Sequence, residues 1–372
     1  MPTIAFVMQS FYGDAIGGAE RQVQMLAEAL RGVGWRTFYI AERAADKPRR
    51  ETVNGMQVLA LPQRKKRTSI LNYGPLMSAM RESGADLFYQ RIRHPYTGLT
   101  GQIAKKLGKP FVWAAASLAD TIRDRDLRQS ESAAFLDRIL HPLNRFLEDR
   151  GIFRADAIIL QTHEQQERLE KNYGRRGTVI PNHIIVNPNL NVAKAQPPAV
   201  LWLSNIKPFK RADLFIALAE KCADLEAAFI MAGLCPNPSM RRMIEEAQAR
   251  LPQFKYLGPL EPAEAESEIA AASLLVNTSL FEGFPNAFQQ AWYYGVPTLS
   301  LGVDPDGVIE HEGLGKCCAD LDELESHLRR LLKDPQSLVE IGRRARDFAT
   351  ANYDLQNLLP KYLEIFNNLL RP

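Results

Sequence analysis

The chain reads as α/β, with two doubly wound parallel sheets in succession. Three observations predict this. Short apolar runs alternate with segments of helical spacing along nearly the whole length, which is the pattern of βαβ units. At 372 residues the chain is longer than one typical core supports. The alternation breaks once, in the Pro- and Asn-rich NPNLNVAKAQPP of residues 187–198, and then restarts. These divide the chain into a first domain over 1–186, a linker over 187–198, a second domain over 199–350 and a final segment over 351–372.

Taken in order, residues 3–9 form an apolar strand, followed by a glycine-bearing loop over 13–18. Val23, Leu26, Ala27 and Leu30 recur at helical spacing and predict a helix over 19–30. Strands follow at 35–41, 56–60, 87–90, 111–115, 157–161 and 178–181, with a helix over 98–107 and a basic loop over 64–67. In the second half, strands fall at 199–204, 228–232, 255–257 and 297–301. Helices fall at 212–222, 240–249, 263–271, 320–332, 337–349 and 355–370. No short-period repeat interrupts the series.

A hydrophobic content of 46% and a charged content of 24% are those of a soluble globular protein. No run of about 18 apolar residues exists, so no spanning helix is expected. The start, MPTIAFVMQSFYGD, lacks a basic region and a small-residue cleavage site, and reads as a strand, not a signal peptide. Cys222, Cys235, Cys317 and Cys318 match no zinc spacing, and a reducing cytoplasm is the expected setting. The formal charge of +3 conceals an asymmetry. Up to Arg176 there are 28 Lys and Arg against 19 Asp and Glu, a surplus of nine; the remainder, 18 against 24, is acidic by six. A basic first half suits an anionic partner such as a membrane surface or a lipid phosphate, or is simply a solvated face. Arg49, Arg50, Arg64, Lys65, Lys66 and Arg67, beside Ile70, Leu71, Tyr73, Leu76 and Met77, mark one candidate surface. The bland alternative places those apolar residues in a core helix.

The most informative stretch is VNTSLFEGFPNAFQQAWYYGVP, residues 276–297. Leu274, Leu275 and Val276 end a buried strand. A polar turn carries Glu282 and then Gly283, Phe284, Pro285 and Asn286. A helix over 287–294 stops at Gly295, with Pro297 beyond. In open α/β sheets, ligands bind outside the carboxyl ends of strands. Free N–H groups at a helix start attract phosphate or sugar oxygens. Glu282 can accept hydrogen bonds from two hydroxyls; the plainer alternative is an acidic helix cap.

This segment resembles the donor-binding motif of retaining GT-B glycosyltransferases of family 4, in which Gly-Phe-Pro-Asn follows the first of two Glu residues. Glu282 matches the first, which in the family faces the donor sugar. The second, which grips the ribose hydroxyls, falls at Gln290. An amide still bonds a ribose but loses the assistance of charge. The resemblance implies a GT-B architecture, two Rossmann-like domains facing a central cleft, with the acceptor side in the first domain, the nucleotide-sugar donor in the second, and the last helix crossing back to the first. It spans essentially the whole chain and is tighter in the second half.

Residues 201–211, LWLSNIKPFKR, are a strand and a cationic turn suited to a pyrophosphate, or else a solvated basic turn. The family usually has an Arg here and a Lys five positions later. Lys210 matches the Lys, Asn205 replaces the Arg, and Lys207 and Arg211 are the remaining cations. Gly17 and Gly18 open the first helix and let backbone approach a phosphate, as a similar loop does in the family. A plain turn is the alternative reading of such a pair. The family's frequent His after the strand at 111–115 is missing from WAAASLAD. Ser117 and Asp120 are the polar residues there, and His94, between Arg93 and the helix and near Arg91, is the other candidate. His183 follows Asn182 near the hinge. Asp304 and Asp306 have an Asp-x-Asp spacing, read as turn chemistry.

The resemblance therefore implies transfer of a sugar from a nucleotide-sugar donor to an acceptor hydroxyl with retention. Glu282 and Lys210, with Asp120 and His94, are the catalytic candidates. Gly17, Gly18, Asn205, Lys207, Arg211, Gly283, Phe284, Pro285, Asn286 and Gln290 form the donor set. No resident cofactor or metal is expected. The partners implied are a saccharide or lipid-linked acceptor and an anionic membrane surface, not nucleic acid. The setting is cytoplasmic or peripheral on the plasma membrane, in polysaccharide or lipopolysaccharide synthesis. Asn205, Gln290 and the missing His favour a non-catalytic sugar-nucleotide binding protein as the alternative; an epimerase of the same fold is a second.

Overall fold

The structure, a computed structural model, describes residues 1–14, 17–64, 68–123, 135–184, 187, 190 and 192–371. The chain divides into two compact units, Met1–Asn182 with Leu355–Pro372, and His183–Asp354.

The first unit holds β1 (Thr3–Ser10), α1 (Gly18–Gly32), β2 (Arg36–Arg43), β3 (Arg50–Val53), β4 (Met56–Pro62), α2 (Tyr73–Ser83) and β5 (Leu87–Arg91). It continues with α3 (Pro95–Leu107), β6 (Phe111–Ala114), α4 (Phe135–Arg154), β7 (Ala157–Leu160), α5 (His163–Tyr173) and β8 (Thr178–Val179). The sheet order is β3-β4-β2-β1-β5-β6-β7-β8, and every pairing is parallel except β3 with β4. Apolar side chains cover both faces: Val7, Phe38, Phe88 and Trp113 pack on one, Phe6, Tyr39, Tyr89 and Val112 on the other. Continuous apolar strands are what a sheet buried on both faces requires. The β3–β4 hairpin, not anticipated, turns on Asn54 and Gly55, both at positive φ, the residue pair such turns favour. Helix α3 starts three residues earlier than predicted, because His94 caps it and Pro95 opens it.

The second unit holds β9 (Ala199–Leu203), α6 (Ala212–Lys221), β10 (Ala228–Ala232), α7 (Pro238–Arg250), β11 (Phe254–Tyr256), α8 (Pro262–Ala271) and β12 (Leu274–Asn277). After these come α9 (Asn286–Tyr293), β13 (Thr298–Leu301), α10 (Val308–His311), β14 (Gly315–Cys318), α11 (Leu321–Leu332) and α12 (Pro335–Tyr353). All six strands are parallel, in the order β11-β10-β9-β12-β13-β14. Gly295 at φ 65° ends the α9 turn, as its position after the apolar spacing predicts. Its carbonyl lies against Gly342, so α9 and α12 pack at backbone distance.

Helix α13 (Leu355–Leu370) belongs to the first unit. Its Leu358, Tyr362 and Phe366 lie on one helical stripe and fill the same cluster as Trp35 and Tyr89. The units divide at Asn182 and Asp354, not at 186 and 350. Residue 350 lies inside α12. The segment over 187–198 is no free tether where it is described. Lys194 Nζ donates to the carbonyls of Ala270, Ala272 and Tyr294, Ala195 N donates to Ala271 O, and Asn187 N donates to Glu266. Those carbonyls are orphan acceptors at helix ends, and a lysine satisfies them.

Among the described residues no helix is long and apolar enough to cross a membrane.

Candidate active site

The strand order of the second unit, numbered along its own sequence, is 3-2-1-4-5-6. Connections leave β9 and β12 toward opposite sides, so a crevice opens between their carboxyl ends. The two loops there are those singled out in the sequence. One runs from Ser204 through the single turn Pro208–Lys210 to Arg211, the other from Thr278 to Pro285.

The loops are fastened to each other. Leu280 N donates to Phe209 O at 2.9 Å, and the Phe209 and Phe281 rings stack with centroids 5.0 Å apart. At the end of this seam Lys210 Nζ pairs with Glu282 Oε1. Ser279 Oγ donates to the same oxygen at 2.7 Å and is itself approached by Asn277 Nδ2 at 3.3 Å. Glu282 Oε2 has no partner among the described residues, so it is open to a donor such as a sugar hydroxyl. Both side chains are about one-seventh exposed, at 15% and 14%. That is shielded enough for charge to act strongly and open enough for a ligand to arrive. Helix α9 begins after Pro285 without a side-chain cap, beside Glu282, and its Phe288 N donates to Pro285 O at 3.1 Å. Gln290 lies one turn into α9, half-buried, and no described side chain bonds its amide.

Other predicted donor residues have structural work. Phe284 is 5% exposed and packs edge-on against Trp292 and Tyr353. It anchors the loop from beneath and does not face the crevice. Arg211 has φ 49° and ψ 53°, and its guanidinium reaches the carbonyls of Thr278 (2.6 Å), Ser279 (3.4 Å) and Leu301 (3.3 Å). These are strand-end acceptors, so Arg211 braces the sheet and its fork is not directed at a phosphate. Asn205 Oδ1 accepts from Leu234 N at 3.4 Å. Lys207 is exposed, with its ammonium 6.0 Å from the Phe209 ring, and Lys210 lies 5.4 Å from the same ring. Asp304 accepts from Ile309 N (2.8 Å) and Glu310 N (3.2 Å) and caps α10, as turn chemistry predicts. Burial raises its carboxyl above the usual range. Thr278, Ser279 and Trp202 escaped the sequence reading. The only signal for Thr278 and Ser279 was the polar run Asn277-Thr278-Ser279 after an apolar strand, and Trp202, inside the apolar β9, had none.

In the first unit the predicted residues also find local partners. Gly17 caps α1, but a Cβ there would meet the Glu20 carboxylate, which folds back over the helix start. A carboxylate thus stands where a phosphate was expected. His94 caps α3 through Nδ1, which accepts from Tyr96 N at 3.4 Å, and burial lowers its imidazole to about 4. It is neutral near pH 7, and the cap occupies one of its two nitrogens. Asp120 is 1% exposed, with Oδ2 accepting from Ala116 N (2.8 Å) and Ser117 N (3.1 Å). It shapes its own turn and is sealed from solvent. Arg91 donates to Asn182 Oδ1 at 2.5 Å, and Arg93 pairs with Glu148 (3.1 Å) and Asp149 (2.7 Å). His183 is buried.

The expected surface patch is reduced. Leu76 is fully buried, and Ile70, Tyr73 and Met77 pack against the core. They lie on the inner face of α2 and the turn before it, leaving Leu71 exposed. Arg49 and Arg50 pair with Glu82, and Arg64 Nε donates to Asn72. Lys65, Lys66 and Arg67 lie outside the described residues.

Residues 16–187 match the family described as Glycosyltransferase Family 4, and residues 197–334 the family described as Glycosyl transferases group 1. Among curated proteins, a glycosyltransferase 1 domain-containing protein from Xenopus tropicalis is 23% identical over 163 residues. That match spans 44% of this chain and 47% of the relative, about half its length. Among solved structures, a sucrose-phosphate synthase from Thermosynechococcus elongatus is similar with a TM-score of 0.76 at 17% identity, covering 99% of each chain. The Anabaena protein HepE, solved with UDP and glucose, is similar with a TM-score of 0.73 at 18% identity, covering 99% of this chain and 100% of its own. WaaG, a glycosyltransferase involved in lipopolysaccharide biosynthesis, is similar with a TM-score of 0.71 at 17% identity, covering 97% and 99%.

Proposed function

The chain belongs to the group 1 glycosyltransferases, with the Rossmann-like pair of the GT-B fold, and from that premise we propose that it transfers a sugar from a nucleotide-sugar donor to an acceptor hydroxyl with retention of configuration. The observation that carries this reading is the Lys210–Glu282–Ser279 cluster at the reversal point of the second sheet. In the proposed reaction the bond from the anomeric carbon to the diphosphate oxygen breaks, and the acceptor oxygen bonds that carbon on the same face. The acceptor's proton passes to the departing diphosphate. Lys210 and the amides at the start of α9 stabilise the charge that develops there, ordinarily the largest catalytic contribution. Glu282 Oε2 takes a sugar hydroxyl and fixes the ring, and Gln290 bonds the ribose.

The acceptor reading is a saccharide or lipid-linked saccharide of the cell surface, made in the cytoplasm at the membrane. Its support is the basic first half and the outer face of α4. There Leu143, Phe146 and Phe153 are exposed at 43%, 53% and 45%, while the acids Glu148 and Asp149 turn inward to Arg93. The exposed Arg150 lies on the same stripe, which suits an anionic leaflet.

A thermal-shift panel of nucleotide sugars tests the donor reading. A ligand at about 100 times its dissociation constant stabilises by roughly 2.7 kcal/mol. No shift with any UDP-, ADP- or GDP-sugar would sink it. Asn205 and Gln290 favour one other reading, a non-catalytic sugar-nucleotide binding protein, which predicts a shift with neither transfer nor hydrolysis.

A further inference from the structure

We infer that Thr278 is a positioning residue that holds Lys210 onto Glu282, and that the left-handed backbone at Arg211 is maintained by its hydroxyl. This deepens the donor-site reading and rests on it for its consequence, but the geometry is independent of any ligand. Thr278 is fully buried. Its Oγ1 accepts from Trp202 Nε1 at 2.9 Å, so the indole orients the hydroxyl proton away from β9. That proton lies between two carbonyls, Lys210 O at 2.8 Å and Arg211 O at 2.9 Å. In return the Thr278 carbonyl accepts from Arg211 Nε at 2.6 Å.

The need for such a clamp follows from the backbone. Arg211 sits at φ 49°, a region that a residue with a Cβ adopts only at an energetic cost. Without the clamp the turn relaxes toward an ordinary helix start, and the Lys210 carbonyl and side chain rotate with it. The reach of Lys210 Nζ to Glu282 therefore depends on a hydroxyl that touches neither side chain. Trp202, Thr278 and Arg211 form one chain of donors across the reversal point, in which the Trp202 N–H, the Thr278 hydroxyl and the Arg211 Nε each meet an acceptor.

Competitive acetylation with acetic anhydride tests this, read by mass spectrometry as the rate at Lys210 relative to exposed Lys207. In T278V, which keeps the branched shape and loses the hydroxyl, Lys210 should react about tenfold faster than in wild type, the population change that loss of one buried hydrogen bond produces. T278S keeps the hydroxyl and should restore the wild-type ratio. T278V also strands the Trp202 N–H, so the double variant W202F/T278V, which removes that donor as well, should show the same increase if the effect comes from the turn. An unchanged ratio in a folded T278V, or an increase that T278S does not reverse, overturns the inference. UDP affinity supplies the second arm. Weakening by about tenfold in T278V and recovery in T278S support the link to the diphosphate, whereas wild-type affinity in T278V overturns it. A wild-type chain that binds none of UDP, ADP or GDP counts against the donor reading, while the acetylation ratio still decides the positioning role.

Discussion

Replacing Glu282 separates the two tasks assigned to its carboxylate. In E282A the Lys210 ammonium loses its partner and Ser279 loses an acceptor. Exposed pairs contribute about 0–1 kcal/mol, and breaking a fully buried pair costs about 3–5 kcal/mol. At 15% and 14% exposure this pair lies between, and we expect a loss of about 2 kcal/mol. For a unit of this size that is a fall of roughly 4–8 °C in Tm. E282Q keeps the shape and an acceptor oxygen and should fall about half as far, since charge assistance roughly doubles a hydrogen bond. Catalysis should suffer far more: turnover drops by about 10²-fold or more, the scale for losing one group at a developing charge. Affinity for the bare nucleoside diphosphate should move the other way. With Glu282 gone, Lys210 keeps the position that the Thr278 clamp gives its turn but loses a competing carboxylate, so binding should hold or tighten by up to about tenfold. Calorimetry with UDP, ADP and GDP, beside a coupled assay of diphosphate release from the matching nucleotide sugars, measures both. Wild-type turnover in E282A, or a collapse of diphosphate affinity with a normal Tm, would refute the reasoning.

Lys210→Ala should lower turnover by about 10²-fold in the same assay; an unchanged rate moves the phosphate role to Lys207. Gln290→Glu should bind the nucleotide as well as or better than wild type by calorimetry, and a large loss would mean that the amide N–H is used as a donor. His94, held neutral with its imidazole lowered to about 4, makes the unfolded chain the stronger proton binder between about pH 6.5 and 4. Its share of stability is therefore full above about pH 6.5 and is lost as pH falls through that window, about 2 kcal/mol of it by pH 5. Urea midpoints against pH should be flatter in H94N, and an equal slope would discount the burial. Cosedimentation with anionic vesicles at low salt should weaken by about tenfold or more in F146S/F153S, since each Phe, about half exposed in the protein, gains about half of the roughly 1.5–3 kcal/mol of full burial; wild-type sedimentation would remove α4 from the membrane face.

The strand–helix rhythm was legible because parallel strands buried on both faces write themselves as apolar runs, as in Ala228–Ala232, read to the residue. What escaped lacked that contrast. Strand β3 is half exposed and polar, and only its Asn54-Gly55 turn announced it. Strand β14 reads Gly-Lys-Cys-Cys and has almost no apolar signal. At the candidate site, Glu282 and Lys210 were singled out through the family resemblance, and the structure brings the two side chains together. Phe284 and Arg211 were misplaced because motif membership does not say which way a side chain turns. Phe284 goes down into an aromatic cluster and Arg211 back onto three carbonyls. His94 and Asp120 were attractive as polar residues after strands, but that is equally where helix and turn caps are needed.

The two departures from the family pattern acquire a common meaning beside the ion pair. Asn205, where the family has an arginine, spends its oxygen on Leu234 N and brings no charge. Gln290, proposed to bond the ribose, brings none either. Lys210 is already neutralised by Glu282. Of the cations in the turn after β9, Lys207 alone has no ion pair or hydrogen bond among the described residues. A bare diphosphate therefore meets one exposed lysine, and must compete with a carboxylate for the second. A nucleotide sugar changes that balance, because its hydroxyl donates to Glu282 and weakens the hold on Lys210 as the phosphates arrive. On this reading the sugar and the diphosphate are recognised through one pair of side chains. The free energy of binding the whole donor should exceed the sum for its parts, which ties the grip on the leaving group to the presence of the group to be transferred.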